Sequence, residues 1–90
     1  MAQYMTGSET FDAISLVDGA QETEDMTVTG AALGDYVLCS INIDIVDLYL
    51  TGSVTAADTV TLVLRNESTG TIDLASATIR ALVIPADIFE

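Results

Sequence analysis

Between Asp58 and Arg65 the chain alternates strictly. Val60, Leu62 and Leu64 take one side, and Thr59, Thr61, Val63 and Arg65 the other, as side chains do along a strand. The run breaks at Asn66-Glu-Ser-Thr-Gly70, residues that favour turns. The same grammar recurs along most of the chain. Phe11 to Val17 reads as a first strand ended by Asp18-Gly19, a strong turn signal. A second strand follows, with Met26 and Val28 inward, before a connection punctuated by Gly30 and Gly34. Asp35 to Ile41 is more apolar and predicts a central strand buried on both faces. Asn42 to Asp47 either continues that strand or forms an excursion whose Ile41, Ile43 and Ile45 cover one end of the core.

Leu48 to Val54 alternates again, with Leu48, Leu50 and Val54 inward. Gly52 stands where a fourth apolar group belongs, a pattern that signals a bulge. After a short apolar stretch, Thr71 to Ala75, the last strand runs from Thr78 to Ile84, apolar on both faces apart from Arg80. Pro85 ends it, because proline donates nothing to a ladder. Helical propensity is confined to Ser15–Asp25, which Gly19 interrupts. Short strands at intervals of about 8–12 residues predict an all-β fold, a single antiparallel sandwich of Greek-key or jelly-roll type with about 6–8 strands. Threonines 23, 27, 29, 51, 55, 59, 61 and 78 suit exposed strand faces. Residues 1–9 read as an extended, mobile N-terminal arm carrying Tyr4 and Met5, and residues 10–90 as the sandwich domain, closed by a tail holding Ile88 and Phe89.

Composition adds a constraint on the surface. Half of the 90 residues are apolar and the mean hydropathy is +0.49, yet a chain of this size buries only about 60–65% of the surface exposed on unfolding. Some apolar area is therefore expected outside, where it marks contact with other chains. Fourteen acidic residues face two arginines, with no lysine or histidine, for a net charge of −12. Nucleic acid is excluded as a partner, since phosphate backbones are held largely by Lys and Arg. Anionic membranes are excluded for the same reason. The N-terminus, Met-Ala-Gln-Tyr-Met, lacks the basic start and apolar core of a secretory leader. No apolar run reaches the roughly 18–20 residues of a membrane span.

Candidate chemistry is sparse. Without His or Lys, and with Cys39 flanked by apolar residues, the usual general bases and activated nucleophiles are missing. Paired carboxylates could in principle hydrolyse glycosides, but so small a sandwich offers little room for a cleft. No enzymatic activity and no cofactor are expected. Asp44 and Asp47, with Asp25 or Glu24 from a neighbouring strand, could offer oxygen ligands to calcium. No EF-hand spacing supports this, so no metal ligand is assigned and the acids read as a solvated surface. Asn66-Glu-Ser68 fits a glycosylation sequon but reads as a plain turn. Arg65 and Arg80 each sit among apolar strand residues in a chain rich in carboxylates. Ion pairing, within the chain or between subunits, is their expected role, because the guanidinium fork matches a carboxylate.

Three stretches then form a pattern: Thr27-Val-Thr-Gly-Ala-Ala-Leu-Gly-Asp-Tyr-Val37; Leu50-Thr-Gly-Ser-Val-Thr-Ala-Ala-Asp-Thr-Val-Thr-Leu-Val-Leu-Arg-Asn-Glu-Ser-Thr-Gly70; and Ile72-Asp-Leu-Ala-Ser-Ala-Thr-Ile-Arg-Ala-Leu-Val83. This order resembles small proteins encoded beside the major capsid protein in tailed phages, especially phages of aquatic bacteria. Members found in virions are cement or decoration proteins with β-sandwich folds. The resemblance covers residues 26 to 84, and Asn42–Asp47 departs from the small or Pro/Gly-containing segment expected there. It implies a protein of the outer capsid surface that binds the assembled major-capsid lattice and stabilises it, as a homotrimer. The interface residues expected are Tyr4, Met5, Arg65, Arg80, Ile88 and Phe89, and the outward Thr59-Thr61-Val63-Arg65 face is a further expected contact. The alternatives are a phage tail or fibre module, or a calcium- or carbohydrate-binding adhesion domain.

Overall fold

The computed structural model describes residues 4–12, 15–45 and 47–87. Six strands are formed: β1 (Met5–Phe11), β2 (Gln21–Thr27), β3 (Tyr36–Ile41), β4 (Leu48–Ala56), β5 (Thr59–Asn66) and β6 (Ala77–Ile84). They make two three-stranded antiparallel sheets, ordered β1-β6-β3 (sheet A) and β2-β5-β4 (sheet B). No helix occurs among the described residues. The fold is an all-β sandwich. The two most evenly apolar segments, β5 and β6, are the central strands, where both edges of the backbone are paired and both faces gain from β-branched or aliphatic side chains. Only β4 and β5 are joined as a hairpin; the other consecutive strands lie in opposite sheets. The hairpin turns at Ala57-Asp58, with Asp58 at φ 62°, a left-handed conformation that Asp tolerates better than most residues.

Alternation decides the core. Ile79, Ala81 and Val83 of β6 meet Val60, Leu62 and Leu64 of β5 between the sheets, with Phe11, Met26, Leu48 and Val54 around them. The sheets approach closely at both lateral margins because a glycine replaces a side chain there. On β1, a Cβ at Gly7 would lie 2.9 Å from Val28 and 3.3 Å from the Thr27 carbonyl of the facing sheet. On β4, a Cβ at Gly52 would lie 2.8 Å from Leu62 and 3.1 Å from Val37 of β3. Gly52 therefore marks close approach, not the expected bulge; the bulge falls between Val54 and Ala56.

Polar side chains close the ends. Asn66, wholly buried, has Nδ2 donating to the carbonyls of Leu16 and Gly70, both at 2.8 Å. Its Oδ1 accepts from the Ser68 amide at 2.8 Å and the Ser68 hydroxyl at 2.7 Å. A buried amide is tolerated because both of its ends are satisfied. At the opposite end the Gly30 amide donates to Asp58 Oδ1 at 2.8 Å, and Asp35 receives the amides of Ala32 and Ala86 at 3.0 Å each. Asn42 Oδ1 accepts from the Thr78 amide at 2.9 Å. Of Ile41, Ile43 and Ile45, expected to cover one end of the core, Ile41 and Ile45 pack against it, joined by Leu16 and Ile72, whose backbones bridge.

Two expectations are corrected. Residues 5–9, expected as arm, are paired with β6 from Met5↔Val83 to Glu9↔Ile79, so the first strand precedes Phe11 instead of starting there. β3 is not central and buried on both faces. It is an edge strand whose outward Tyr36, Leu38 and Ser40 are exposed.

Candidate functional site

The two outer faces of the sandwich differ in chemistry. On sheet B the register sets out rows Gln21–Arg65–Tyr49, Thr23–Val63–Thr51, Asp25–Thr61–Ser53 and Thr27–Thr59–Ala56. Its polar groups bond to one another. The Thr61 hydroxyl donates to Asp25 Oδ1 at 2.7 Å, which leaves the Thr55 hydroxyl, 2.8 Å away, to donate to Thr61. Arg65 pairs with Glu67 and donates from Nη1 to Gln21 Oε1 at 3.1 Å. The expected Thr59-Thr61-Val63-Arg65 contact face is therefore largely occupied with internal bonds.

Sheet A presents rows Ile84–Tyr36, Thr6–Leu82–Leu38, Ser8–Arg80–Ser40 and Thr10–Thr78. Tyr4, just before β1, continues the outward series of Thr6, Ser8 and Thr10 by alternation. Of the carboxylates in the chain, none stands at an outward position of β1, β6 or β3. Arg80 is exposed and has no hydrogen-bond or ion-pair partner among the described residues. Beside it lies an open concavity of about 710 Å³ lined by Thr6, Ser8, Leu38, Ser40 and Leu82. Tyr4 is 69% exposed, Leu38 59% and Tyr36 51%. Leu38 and Leu82 stand in the row next to this single cation, which short hydroxyl side chains flank in its own row.

Arg65 and Arg80, expected together at an interface, thus point from opposite faces. Met5 opens β1 with its side chain packed on the core and beside Gly30, whose Cβ would lie 3.3 Å from Met5 Cγ. Ile88 and Phe89 lie outside the described residues. Glu24 points between the sheets and Asp25 outward, while Asp44 and Asp47 sit in the β3–β4 connection. Among the described residues no group of three or more His, Cys, Asp or Glu side chains is arranged to hold a metal ion. Cys39 is half-buried, its thiol 3.7 Å from the Leu50 carbonyl, and burial pushes its pKa up, away from the reactive thiolate.

The sequence pattern did not isolate Leu38, Leu82, Tyr36 and Ile84 as a surface, because each strand reads as core by itself. A usable signal was the lack of any charge but Arg80 in Tyr36–Ile41 and Ala77–Ile84. Compared with protein-family models, with curated protein sequences and with solved structures, the chain matches none.

Proposed function

We propose that this chain is a capsid decoration protein of a tailed phage, docking on the major-capsid lattice through the outer face of sheet A. The observation that carries the docking role is the carboxylate-free face with exposed Tyr36 and Leu38 and an Arg80 that has no partner among the described residues. The resemblance of residues 26 to 84 supplies the partner. The role is one of binding, without catalysis. Ligation to the assembled shell alone stabilises that shell by mass action. Remaining carboxylates favour solubility, while Arg80 offers a bidentate partner to a carboxylate on the lattice.

The test uses purified particles of the phage that encodes the chain. Gel densitometry should find the chain in hundreds of copies per particle, and added Arg80→Glu protein should fail to fill shells stripped of it. Arg65→Glu, on the opposite face, should fill them as the native chain does. Copy numbers in the tens would point instead to a tail or fibre module, and equal binding by the two variants would remove sheet A from the contact.

A further inference from the structure

A sandwich of two three-stranded sheets has four edge strands, each presenting unpaired backbone groups that invite another strand. Three of the four are guarded. β2 carries Glu22, Glu24 and Asp25 within seven residues. β1 turns Glu9 inward, and β4 is bent by the bulge between Val54 and Ala56. β3, Tyr36-Val-Leu-Cys-Ser-Ile41, has no charge, no proline and no bulge, and its register with β6 is unbroken. Its outward Tyr36 and Leu38 are more than half exposed. A strand of this kind is a template for pairing.

We infer that β3 pairs antiparallel with β3 of a second copy of this chain, joining two A sheets into one six-stranded sheet. Charge selects where a second copy can approach. Two particles of net charge −12 repel each other least where carboxylates are missing, and the uncharged β3 borders the carboxylate-free face. A register centred on Leu38 sets Leu38 against its own equivalent and Tyr36 against Ser40. Asp35 then falls opposite Ile41, so no like charges oppose each other along the strand. The two Arg80 side chains would be three strand spacings apart across the sheet and four residues apart along it, about 20 Å, beyond the ~8 Å screening length of physiological salt.

Area points the same way. The outer face of one A sheet covers about 300 Å² at standard strand spacing and rise, against about 800 Å² per partner in a stable interface. Two faces made continuous double that footprint. This last point depends on the docking role proposed above; the unguarded edge does not. The two-fold pair takes the place of the homotrimer that the resemblance implies.

Sedimentation equilibrium of the native chain should give twice its 9.5 kDa mass. Leu38→Lys, placed at a position 59% exposed, should give the monomer mass with an unchanged far-UV spectrum and a melting temperature that no longer rises with protein concentration. In a Cys39→Ser background, Leu38→Cys should form an intermolecular disulfide on oxidation. A native monomer at millimolar protein, a trimer, a Leu38→Lys dimer, or failure of the Leu38→Cys pair to link would each overturn the pairing. Arg80→Glu should remain dimeric while losing particle binding. A native monomer that still fills shells would therefore sink the pairing and leave the docking role standing.

Discussion

The two lateral margins of this sandwich are built alike and charged differently. Each brings an edge strand of one sheet over an edge strand of the other, and each uses one glycine, Gly7 on β1 or Gly52 on β4, to let them approach. The β1/β2 margin is lined with carboxylates: Glu9 from one sheet faces Glu22 and Glu24 from the other, all at inward positions. The β3/β4 margin has none in its strands; Val37, Cys39 and Ile41 face Leu48, Leu50 and Val54. Carboxylates pointing between sheets are a poor way to gain stability and an effective way to keep a strand edge from recruiting another chain. The margins show where contact is prevented and where it is left open. The same partition separates the self-bonded face of sheet B from the apolar face of sheet A.

The largest expected effect comes from removing the frame that holds both margins in place. Asn66 ends β5 opposite Leu48 and binds Leu16 of the β1–β2 connection and Gly70 of the β5–β6 connection. Asn66→Ala takes one of two donors from the Leu16 carbonyl, which keeps the Ile72 amide, and one from the Gly70 carbonyl, which keeps the Ser68 hydroxyl. It also leaves the Ser68 amide without its acceptor, and the loss should be about 1–3 kcal/mol. Asn66→Asp should be worse, since both donors are lost and a charge is buried. Urea denaturation measures both. A loss within about 0.5 kcal/mol, the range of an ordinary surface change, would show that the margins are held elsewhere.

Asn66 also shows how far the residues alone could be read. The period-two pattern located β4, β5 and β6 and the inward sets of β4 and β5, whose two sides differ in polarity; β6, apolar on both faces apart from Arg80, yielded its position but no inward set. The pattern misplaced β1. In Met5–Phe11 the inward positions are Met5, Gly7, Glu9 and Phe11, and a glycine and a carboxylate break the apolar rhythm for reasons that lie in the facing strand. The more regular Phe11–Val17 took its place. β3 was read as central because apolar residues on both sides mean either burial or an exposed contact face, and only pairing order separates the two. The proposed docking face needs Leu38 and Leu82 side by side, a juxtaposition made by the β3–β6 register and by nothing local. Asn66 looked like a turn residue because Glu-Ser-Thr-Gly follows it; its burial depends on Leu16, fifty positions away.

The glycines test how similar the margins are. Gly7→Ala puts a methyl 2.9 Å from Val28 Cγ2, 3.0 Å from Met26 Sδ and 3.3 Å from the Thr27 carbonyl. A backbone oxygen cannot rotate away, so a loss of about 1–3 kcal/mol is expected, the usual range for overpacking. Gly52→Ala meets only side-chain tips, of Leu62, Val37 and Cys39, and should lose less. Thermal melts of the two variants give the ranking. The reverse order would make β3/β4 the stiffer margin, contrary to a role as the adaptable, contact-forming side.

The smallest effect is the most specific to the acidic margin. Burial raises the Glu9 carboxyl pKa above its ordinary 4.5, and the neighbouring Glu24 carboxyl raises it further. Glu9 Oε1 is buried with no hydrogen-bond partner among the described residues. From β2 the charged groups facing it are Glu22 and Glu24; its neighbour across the ladder, Ile79, brings none. A raised folded-state value means that the folded chain holds the proton where the unfolded chain has released it. The stabilisation from this group is complete below about pH 4.5 and is lost as pH rises through the folded value. Stability should therefore increase as pH falls from neutrality toward 4.5, with general relief of the −12 charge acting in the same direction. Glu9→Gln separates the two: it should be more stable than the native chain at pH 7 and show a shallower rise on acidification. Parallel urea-midpoint curves for native and Glu9→Gln protein over that range would mean that Glu9 and Glu24 do not share a proton. The acidic margin would then act through its charge toward solvent alone.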